Sequence, residues 1–246
     1  MVQSSFQPSS GHPPDDTIRF DAVSLARGGR SLFAGLNLTL DEHRIGLIGA
    51  NGSGKSSLLR LINGLLLPDA GKVRIGGRDT VRDRDELPGR IGFVFQNPDH
   101  QIIFPTVGEE VAFGLTLRGL TKGEAAEQAR ALLAAHGCAG WEDRAVQELS
   151  EGQKQLVCIL AVIAPQPGAL LLDECFASLD LRARADLMAR LMALPQRLIM
   201  ASHDLDLLAS FDRVIWLDGG RVCGDGAPAE IIAAYRAAMT NGGGAP

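Results

Sequence analysis

The sequence lacks the features of several common protein classes. Its four cysteines, at positions 138, 158, 175 and 223, include no CxxC pair, which argues against a zinc site or a disulfide framework and favours reduced thiols in a cytosolic protein. There is no dense Lys/Arg run, and 29 acidic against 24 basic residues give a net charge of -5. Electrostatic binding to nucleic acid is therefore not expected. The longest apolar runs, such as LVCILAVIA, are shorter than the roughly 18 residues that suggest a membrane span.

The composition is that of one globular domain with short tails. The chain has 246 residues, 46% of them hydrophobic, which is enough to bury a sizeable core. Residues 1–16 are rich in Ser and Pro and lack the basic and apolar regions of a signal peptide, so we expect a disordered tail. Residues 241–246, NGGGAP, are expected to form a second flexible tail. Residues 17–240 are predicted to form a single domain.

The stretch GLIGANGSGKSSLLRLI matches the pattern G-x-x-x-x-G-K-[ST], with a buried-strand pattern before it and a helical pattern after it. Its glycines allow backbone N–H groups to turn inward and hold a polyphosphate. The lysine adds positive charge toward the β- and γ-phosphates, and the serine that follows can ligate Mg²⁺. A glycine-rich turn that precedes Lys-Ser by chance is the alternative, and the flanking strand and helix disfavour it. The predicted nucleotide-binding residues are Gly49, Asn51, Gly52, Ser53, Gly54, Lys55, Ser56 and Ser57.

A pair of acidic residues ends the apolar run ALLLLDE. We expect this strand to lie beside the glycine-loop strand in a parallel sheet, which would bring Asp173 and Glu174 to the phosphate end of the site. Asp173 is suited to holding Mg²⁺, and Glu174 can polarise an attacking water as general base. Acids that merely cap a strand are the alternative, which the glycine loop in the same chain disfavours.

Two further segments carry polar groups that could meet a phosphate. In LSEGQ, Ser150, Gly152 and Gln153 begin a predicted helix whose N-terminus can bind an anion. The apolar strand LIMASHD ends at His203, whose side chain could contact a γ-phosphate. A lone histidine at a strand end is more often structural, so this assignment depends on its neighbours.

The ordered motifs GANGSGKSS, LSEGQ, LLLLDE, SLD and SHD together resemble those of ABC transporter ATPase subunits, over about residues 17–238. The resemblance implies an α/β fold with a P-loop NTPase (RecA-like) core, an N-terminal antiparallel β subdomain, and an inserted α-helical signature subdomain at about residues 107–164. It also implies ATP and Mg²⁺ as cofactors, with Ser56, Gln96 and Asp173 close to the metal.

The same resemblance assigns roles to individual residues. Gln96 stands at the Q-loop position, where it would contact Mg²⁺ and the attacking water; a polar strand cap is the alternative. In this family two subunits sandwich two ATP molecules, so the LSEGQ residues would serve the ATP bound by the partner subunit. Asp180, in SLD, would cross the dimer interface, and His203 would be the switch histidine.

The chain departs from the common family motifs at four positions. Glu151 adds an acid in LSEGQ, and Ser57 replaces the usual Thr. Cys175 either puts a thiol beside Glu174, which predicts sensitivity to thiol reagents, or is only a small residue in place of Pro. Arg27 stands where an aromatic side chain commonly stacks on adenine, and its guanidinium plane could stack on the base instead.

The segment FQNPDHQIIFPTVGEEVAFGL resembles the corresponding region of energy-coupling factor (ECF) transporters, in which ATPases drive a transmembrane T component and a substrate-binding S component. Asp99, His100 and Gln101 would start the helix that borders the groove for the T component. The later half of the chain is most similar to biotin-transport ATPases, with cobalt or nickel transport as the alternative. The resemblance implies import and a peripheral position on the cytoplasmic face of the inner (plasma) membrane. The subunit could pair with itself or with a sister ATPase, and intact versions of all five motifs favour a homodimer. From the charge, no nucleic-acid partner is expected.

Two other classes are disfavoured. A soluble ABC-type ATPase of DNA repair or of ribosomes would need a long coiled-coil insertion or two ATPase units, and neither is visible in the sequence. A P-loop kinase would need an Arg-bearing lid and would have no use for LSEGQ.

Overall fold

The structure is a computed structural model that describes residues 17–240. The strands are β1 (Ile18–Arg27), β2 (Arg30–Leu40), β3 (Arg44–Ile48), β4 (Ala70–Ile75), β5 (Arg78–Asp79), β6 (Ile91–Val94), β7 (Ala169–Asp173), β8 (Arg197–Ala201), β9 (Arg213–Asp218) and β10 (Arg221–Gly226). The helices are α1 (Lys55–Ile62), α2 (Val107–Leu117), α3 (Lys122–Ala135), α4 (Glu151–Ile163), α5 (Leu181–Met192) and α6 (Pro228–Thr240). The predicted tails, 1–16 and 241–246, lie outside the described residues. The division into tails and one domain stays a prediction.

The strands form two sheets. An antiparallel sheet has the order β2-β1-β4-β5, and a six-stranded sheet has the order β10-β9-β3-β8-β7-β6. In the larger sheet all neighbours are parallel except β10, which runs antiparallel to β9. The predicted α/β class, with an antiparallel sheet added to a parallel core, is confirmed.

The larger sheet carries a hydrophobic core on each face. All residues of β3 and β7 are buried, as expected for central strands that are covered on both sides. Because successive side chains of a strand point to opposite faces, Leu170 and Leu172 join the core formed with α2–α5, whereas Ala169 and Leu171 join the core formed with α1 and the antiparallel sheet. The sheet thus separates two cores.

Helices α2, α3 and α4 are inserted between β6 and β7, within the range predicted for the helical segment. Each begins at a side-chain cap, in which Thr106, Thr121 or Ser150 accepts a hydrogen bond from a first-turn backbone N–H. Such caps satisfy donors that a helix leaves unpaired at its N-terminus. The caps explain where the inserted helices start.

Two expectations about element positions are wrong. The strand that ends in Asp173 is not beside the glycine-loop strand, because β8 lies between β3 and β7. Helix α5 is the crossover that brings the chain back into this gap. The helix expected at Asp99 begins only at Val107, and Pro98–His100 forms a single 3₁₀ turn. The backbone N–H groups of Ile103 and Phe104 instead donate to the Glu110 carboxylate, both at 2.9 Å, which holds the intervening residues in a loop.

None of the helices within residues 17–240 is long and apolar enough to cross a membrane.

Candidate nucleotide site

Four loops meet at one edge of the larger sheet, where the parallel strands β3, β8, β7 and β6 end side by side. The glycine loop follows β3, and His203 stands two residues after β8. Asp173 ends β7, and Gln96 stands two residues after β6. The carboxyl edge of an open parallel sheet is where such folds bind ligands.

The glycine loop contains two positions that only glycine fits. Gly49 has a φ of 146°, and a Cβ there would lie 2.1 Å from the carbonyl oxygen of Leu217 in β9. Gly54 has a φ of 111°, and a Cβ there would lie 2.9 Å from the ring of Phe33 in β2. A residue with a side chain would be strained at these positive φ angles, and its Cβ would clash with the neighbouring strand. These glycines let the loop pass close to two strands before it enters α1.

Helix α1 begins without a side-chain cap, unlike the next four helices. Its N-cap is Gly54, and no side chain bonds to its first turn. The corresponding residues of α2 to α5 are Thr106, Thr121, Ser150 and Asp180, and each accepts a hydrogen bond from its own helix. Uncapped N–H groups, together with the helix dipole, bind anions. The start of α1 therefore fits a phosphate group.

Lys55 is buried inside the glycine loop. Its Nζ donates to the carbonyl oxygens of Gly49 at 2.9 Å and Ala50 at 3.2 Å, and lies 3.5 Å from Oε1 of Glu174. Burial lowers the pKa of Lys55, although the charge of Glu174 opposes this shift. A buried ammonium gains from a strong anionic acceptor. Lys55 therefore fits the predicted polyphosphate ligand.

Ser56 and Asp173 form the predicted metal pair. Ser56 Oγ donates to Asp173 Oδ1 at 2.7 Å, and Arg60 lies 3.7 Å from Oδ2. Burial raises the pKa of Asp173 against the opposing effect of the Ser56 hydrogen bond. Mg²⁺ is commonly held by one or two protein oxygens together with substrate phosphates. The pair fits that pattern, and within residues 17–240 there is no cluster of three His, Cys, Asp or Glu side chains that could form an all-protein metal cage.

Glu174 stands between Lys55 and His203. Its Oε1 is 2.9 Å from His203 Nε2 and 3.5 Å from Lys55 Nζ. The backbone N–H of Glu174 donates to the carbonyl oxygen of Ala201 on β8 at 3.0 Å, and Glu174 has a φ of 52°. A positive φ is unusual for a glutamate and is a form of strain found at functional sites. The strands β7 and β8 thus bring together two of the three predicted catalytic side chains, Glu174 and His203.

The LSEGQ residues lie at the start of α4 and pack toward α5. Ser150 Oγ accepts from the Gln153 N–H at 3.3 Å, and Gln153 Oε1 accepts from the Ser150 N–H at 3.0 Å. A Cβ on Gly152 would lie 3.3 Å from the Cβ of Ala183. Because Ser150 Oγ acts as acceptor within the helix, its own proton remains able to donate outward. Asp180 is exposed and caps α5 through the Ala183 N–H at 2.8 Å.

Several predicted residues make no hydrogen bond to Ser56 or Asp173 within the described part of the chain. Gln96 is exposed after β6, and Arg27 is exposed at the end of β1, paired with Arg30 across a two-glycine turn. Among residues 17–240, no hydrogen bond joins either side chain, or the LSEGQ residues, to Ser56 or Asp173. Their roles at the site stay predictions.

Phe33 was not among the residues predicted from the sequence. Its side chain is 1% exposed, and its ring packs against the N-cap glycine of α1. The apolar alternation of SLFAGLNLTL was the signal that could have placed it in the core. Phe33 connects the β1–β2 hairpin, and with it Arg27, to the glycine loop.

Two departures from the family motifs have clear structural consequences. The Glu151 carboxylate lies 3.6 Å from Lys154 Nζ, which also pairs with Asp99 at 2.8 Å, so one lysine is shared by two acids. Cys175 is fully buried, and burial raises the pKa of its thiol. Because the thiolate is the reactive form, these features disfavour the expected sensitivity of Cys175 to thiol reagents and favour the alternative of a small residue in place of Pro.

The glycine loop, the uncapped helix start and the Ser56–Asp173 pair define a P-loop NTPase. The chain belongs to the ABC transporter family, whose model matches residues 33–177. The family resemblance seen in the motifs is therefore confirmed. The chain is an ATP-binding and hydrolysing subunit of an ABC transporter.

The chain is also similar to individual ABC transporter ATPases. The chain is 48% identical to the biotin transport ATP-binding protein BioM of Rhodobacter capsulatus, over 88% of this chain and 93% of that protein. It is 36% identical to an energy-coupling factor transporter ATP-binding protein of Leuconostoc mesenteroides, over 92% and 86% of the two chains. The solved structure of CbiO1 from Clostridium perfringens, described as part of the ABC transporter complex cbiONQ, has a TM-score of 0.79, with 28% identity over 91% of this chain and 93% of that one.

Proposed function

We propose that the chain energises an ECF-type importer whose cargo is biotin. The observation that carries this proposal is the 48% identity to a biotin transport ATP-binding protein along nearly the full length of both chains. The likeness to an energy-coupling factor transporter ATPase supports the ECF class. A cobalt or nickel importer, the alternative from the sequence, would use the same ATPase site and differ in its membrane proteins.

The contacts of Lys55, Ser56 and Asp173 support the roles proposed for the phosphate and metal site. Lys55 and the amides at the start of α1 bind the phosphates, with Asn51 and Ser53 in the loop and Ser57 in the first turn. Ser56 and Asp173 hold the metal. When bound, ATP with Mg²⁺ supplies the phosphoanhydride bond whose hydrolysis drives the transport cycle.

The catalytic roles are divided between three side chains. Glu174 accepts a proton from the attacking water as general base. His203, 2.9 Å from the Glu174 carboxylate, orients that base and contacts the γ-phosphate. Gln96, exposed at the same edge of the sheet, orients the water and contacts the metal.

A second copy of the chain completes each site in this proposal. Ser150, Gly152 and Gln153 bind the ATP of the partner subunit, and Asp180 lies at the dimer interface. The exposed side chain of Leu181, with 80% of its surface accessible next to Asp180, supports an interface here. Since every motif is intact, we propose a homodimer with two competent sites.

Exposed apolar side chains in and before helix α2 support a contact with a membrane partner. Ile103 and Leu117 are 70% and 71% exposed, and the rings of Phe104 and Phe113 lie 5.1 Å apart between them in sequence. Apolar side chains in such a group favour protein contacts over water. We assign this surface to the T component, and thereby place the chain on the cytoplasmic face of the inner membrane; the S component would bind the cargo.

The test is recovery of the complex from native membranes. The tagged subunit is purified in mild detergent, and co-purifying proteins are identified by mass spectrometry. A T component together with an S component that binds radiolabelled biotin supports the proposal. Membrane proteins that bind cobalt or nickel would keep the ATPase role and change the cargo. Recovery of no membrane protein, while a known complex survives the same treatment, would contradict the transport assignment.

A further inference from the structure

Two glutamine side chains hold the residue that precedes Gln96. Phe95 follows the end of β6, and its backbone N–H donates to Oε1 of Gln101 at 3.0 Å. Its carbonyl oxygen accepts from Nε2 of Gln155 at 3.5 Å. Side chains therefore satisfy both backbone polar groups of Phe95, and the position from which Gln96 leaves the sheet depends on them.

Both glutamines connect Phe95 to helix α4. Gln155 belongs to that helix, and Nε2 of Gln101 donates to the carbonyl oxygen of Cys158, one turn further along, at 3.2 Å. Residues three apart lie on the same face of a helix. The segment around Phe95 is thus attached to one face of α4 at two successive turns.

An ion pair adds a third connection at the exposed rim. Lys154 Nζ lies 2.8 Å from Oδ1 of Asp99 and 3.6 Å from the carboxylate of Glu151. Only 15% of the Lys154 side chain is exposed, so this pair is partly shielded from solvent. The connection reaches from the Gln96 segment to the first turn of α4, where Ser150 and the other LSEGQ residues stand.

Gln155 carries a sign that its role is not only structural. The residue is fully buried, yet its Oε1 has no hydrogen-bond partner. A buried polar atom without a partner lowers stability, and an apolar side chain of equal length would avoid that cost. Its amide Nε2, by contrast, reaches the backbone beside Gln96.

We propose that Gln101 and Gln155 are positioning residues that fix Gln96 relative to the start of α4. The inference rests on the proposed function, in which Gln96 serves the ATP bound by its own subunit while the LSEGQ residues serve the ATP of the partner. Through the two glutamines, a shift of Gln96 at one ATP site would move the LSEGQ residues that serve the other ATP site. Their loss lowers turnover and the cooperativity between sites, and leaves ATP binding intact.

Glutamine-to-methionine variants test this inference, because methionine keeps the side-chain length and removes the hydrogen bonds. ATP hydrolysis, ATP binding and thermal unfolding are measured for Gln155→Met and Gln101→Met in the purified subunit. We expect kcat to fall about tenfold, with a Hill coefficient for ATP closer to one. The Kd for ATP should change by less than about twofold. Gln155→Met should also keep or raise the unfolding midpoint, which a residue needed for folding would not do. Gln128→Met, at an exposed site on α3, is the matched control.

A double-mutant cycle identifies the route of the effect. If Gln155 acts through Gln96, then Gln155→Met lowers kcat no further in a Gln96→Ala background. Additive losses, or an unchanged kcat in both methionine variants, would overturn the positioning role while leaving the proposed function intact. A Gln96→Ala variant with normal kcat would instead contradict the catalytic role of Gln96, and the positioning role with it.

Discussion

His203 Nε2 lies 2.9 Å from Glu174 Oε1, and this contact joins the ends of two neighbouring parallel strands. It depends on the register of the sheet, in which Asp173 of β7 pairs with Ala201 of β8. A histidine two residues beyond one strand thereby reaches a glutamate one residue beyond the other. The two side chains meet because the sheet holds their backbones side by side.

Replacement of Glu174 tests its role as general base. We expect Glu174→Gln to lower kcat about 10²- to 10⁴-fold, because the amide cannot accept the proton of water. ATP binding should persist, since the amide oxygen can still accept hydrogen bonds. Phosphate release and fluorescent-nucleotide binding are the measurements, with Glu127→Gln, at an exposed site on α3, as control. An unchanged kcat would remove Glu174 from this role.

Replacement of Ser56 tests the metal pair. Ser56→Ala removes one Mg²⁺ ligand, so the Mg²⁺ concentration for half-maximal hydrolysis should rise about tenfold or more. The variant also removes the hydrogen bond that lowers the pKa of Asp173, so the acid limb of activity should move to higher pH. Mg²⁺ titrations at several pH values measure both effects, and Ser210→Ala, at an exposed site, is the control. Normal Mg²⁺ dependence would show that the metal is held elsewhere.

Replacement of Arg27 tests the predicted contact with adenine. A stacked guanidinium contributes about 1–2 kcal/mol, so Arg27→Ala should raise the KM for ATP roughly 5- to 30-fold with little change in kcat. Arg27→Tyr should restore the KM, because an aromatic ring can stack in the same place. Arg30→Ala, directly across the hairpin, controls for lost charge. An equal KM in both alanine variants would contradict stacking by Arg27.

The cysteines should differ sharply in reactivity. Cys138, Cys158 and Cys175 are buried, and burial raises the pKa of each thiol, whereas Cys223 is exposed. Titration of the native protein with a thiol reagent should therefore modify Cys223 alone, with all four reacting after denaturation. Rapid modification in the Cys223→Ser variant would show that a buried thiol becomes accessible.

Acid stability should depend on Glu42. Burial alone would raise the pKa of this carboxyl, but hydrogen bonds and charge from Arg213 lower it below the ordinary value of 4.5. A carboxyl group whose pKa is lowered in the folded state stabilises the fold at pH values above its ordinary pKa. This contribution is lost as the pH falls through the folded-state pKa. Because Glu42 is partly exposed, Glu42→Gln should lower the free energy of unfolding at pH 7 by at most about 1 kcal/mol.

The measurement for Glu42 is urea unfolding at neutral and acidic pH. The difference between Glu42→Gln and the unchanged protein should shrink toward zero in acid, where the unchanged residue is also neutral. Glu127→Gln, at an exposed site, should differ little at either pH. A difference that persists in acid would mean that Glu42 stabilises the fold by packing.

Local sequence patterns were enough to predict the residues of the candidate nucleotide site. The glycine loop, its helix and the LSEGQ cap each lie within a few residues, and their backbone chemistry follows from spacing alone. Asp173 and Glu174 were predicted as site residues because they end an apolar strand, and the carboxyl ends of parallel strands form the ligand-binding edge of such a sheet. The sequence predicted that Ser56 and Asp173 lie close together, but not that they form a hydrogen bond.

Features set by distant residues were missed or wrong. No local pattern near Asp99 indicates that the Glu110 carboxylate will accept hydrogen bonds from two loop N–H groups, so that the helix begins only at Val107. The burial of Cys175 depends on how α4 and the larger sheet pack, and the position of β8 between β3 and β7 depends on the whole topology. These properties arise from tertiary packing, which the spacing of motifs does not encode.

The two cores of the larger sheet make the chain convenient for protein engineering. Alternate residues of β7 serve different faces, so Leu170 and Leu172 can be redesigned for a new helical layer while Ala169 and Leu171 keep the nucleotide-binding half unchanged. A library restricted to Leu170 and Leu172 would vary the core packed against α2–α5 and leave the core formed with α1 and the antiparallel sheet unchanged. Substitutions at neighbouring positions of β7 would disturb both cores at once.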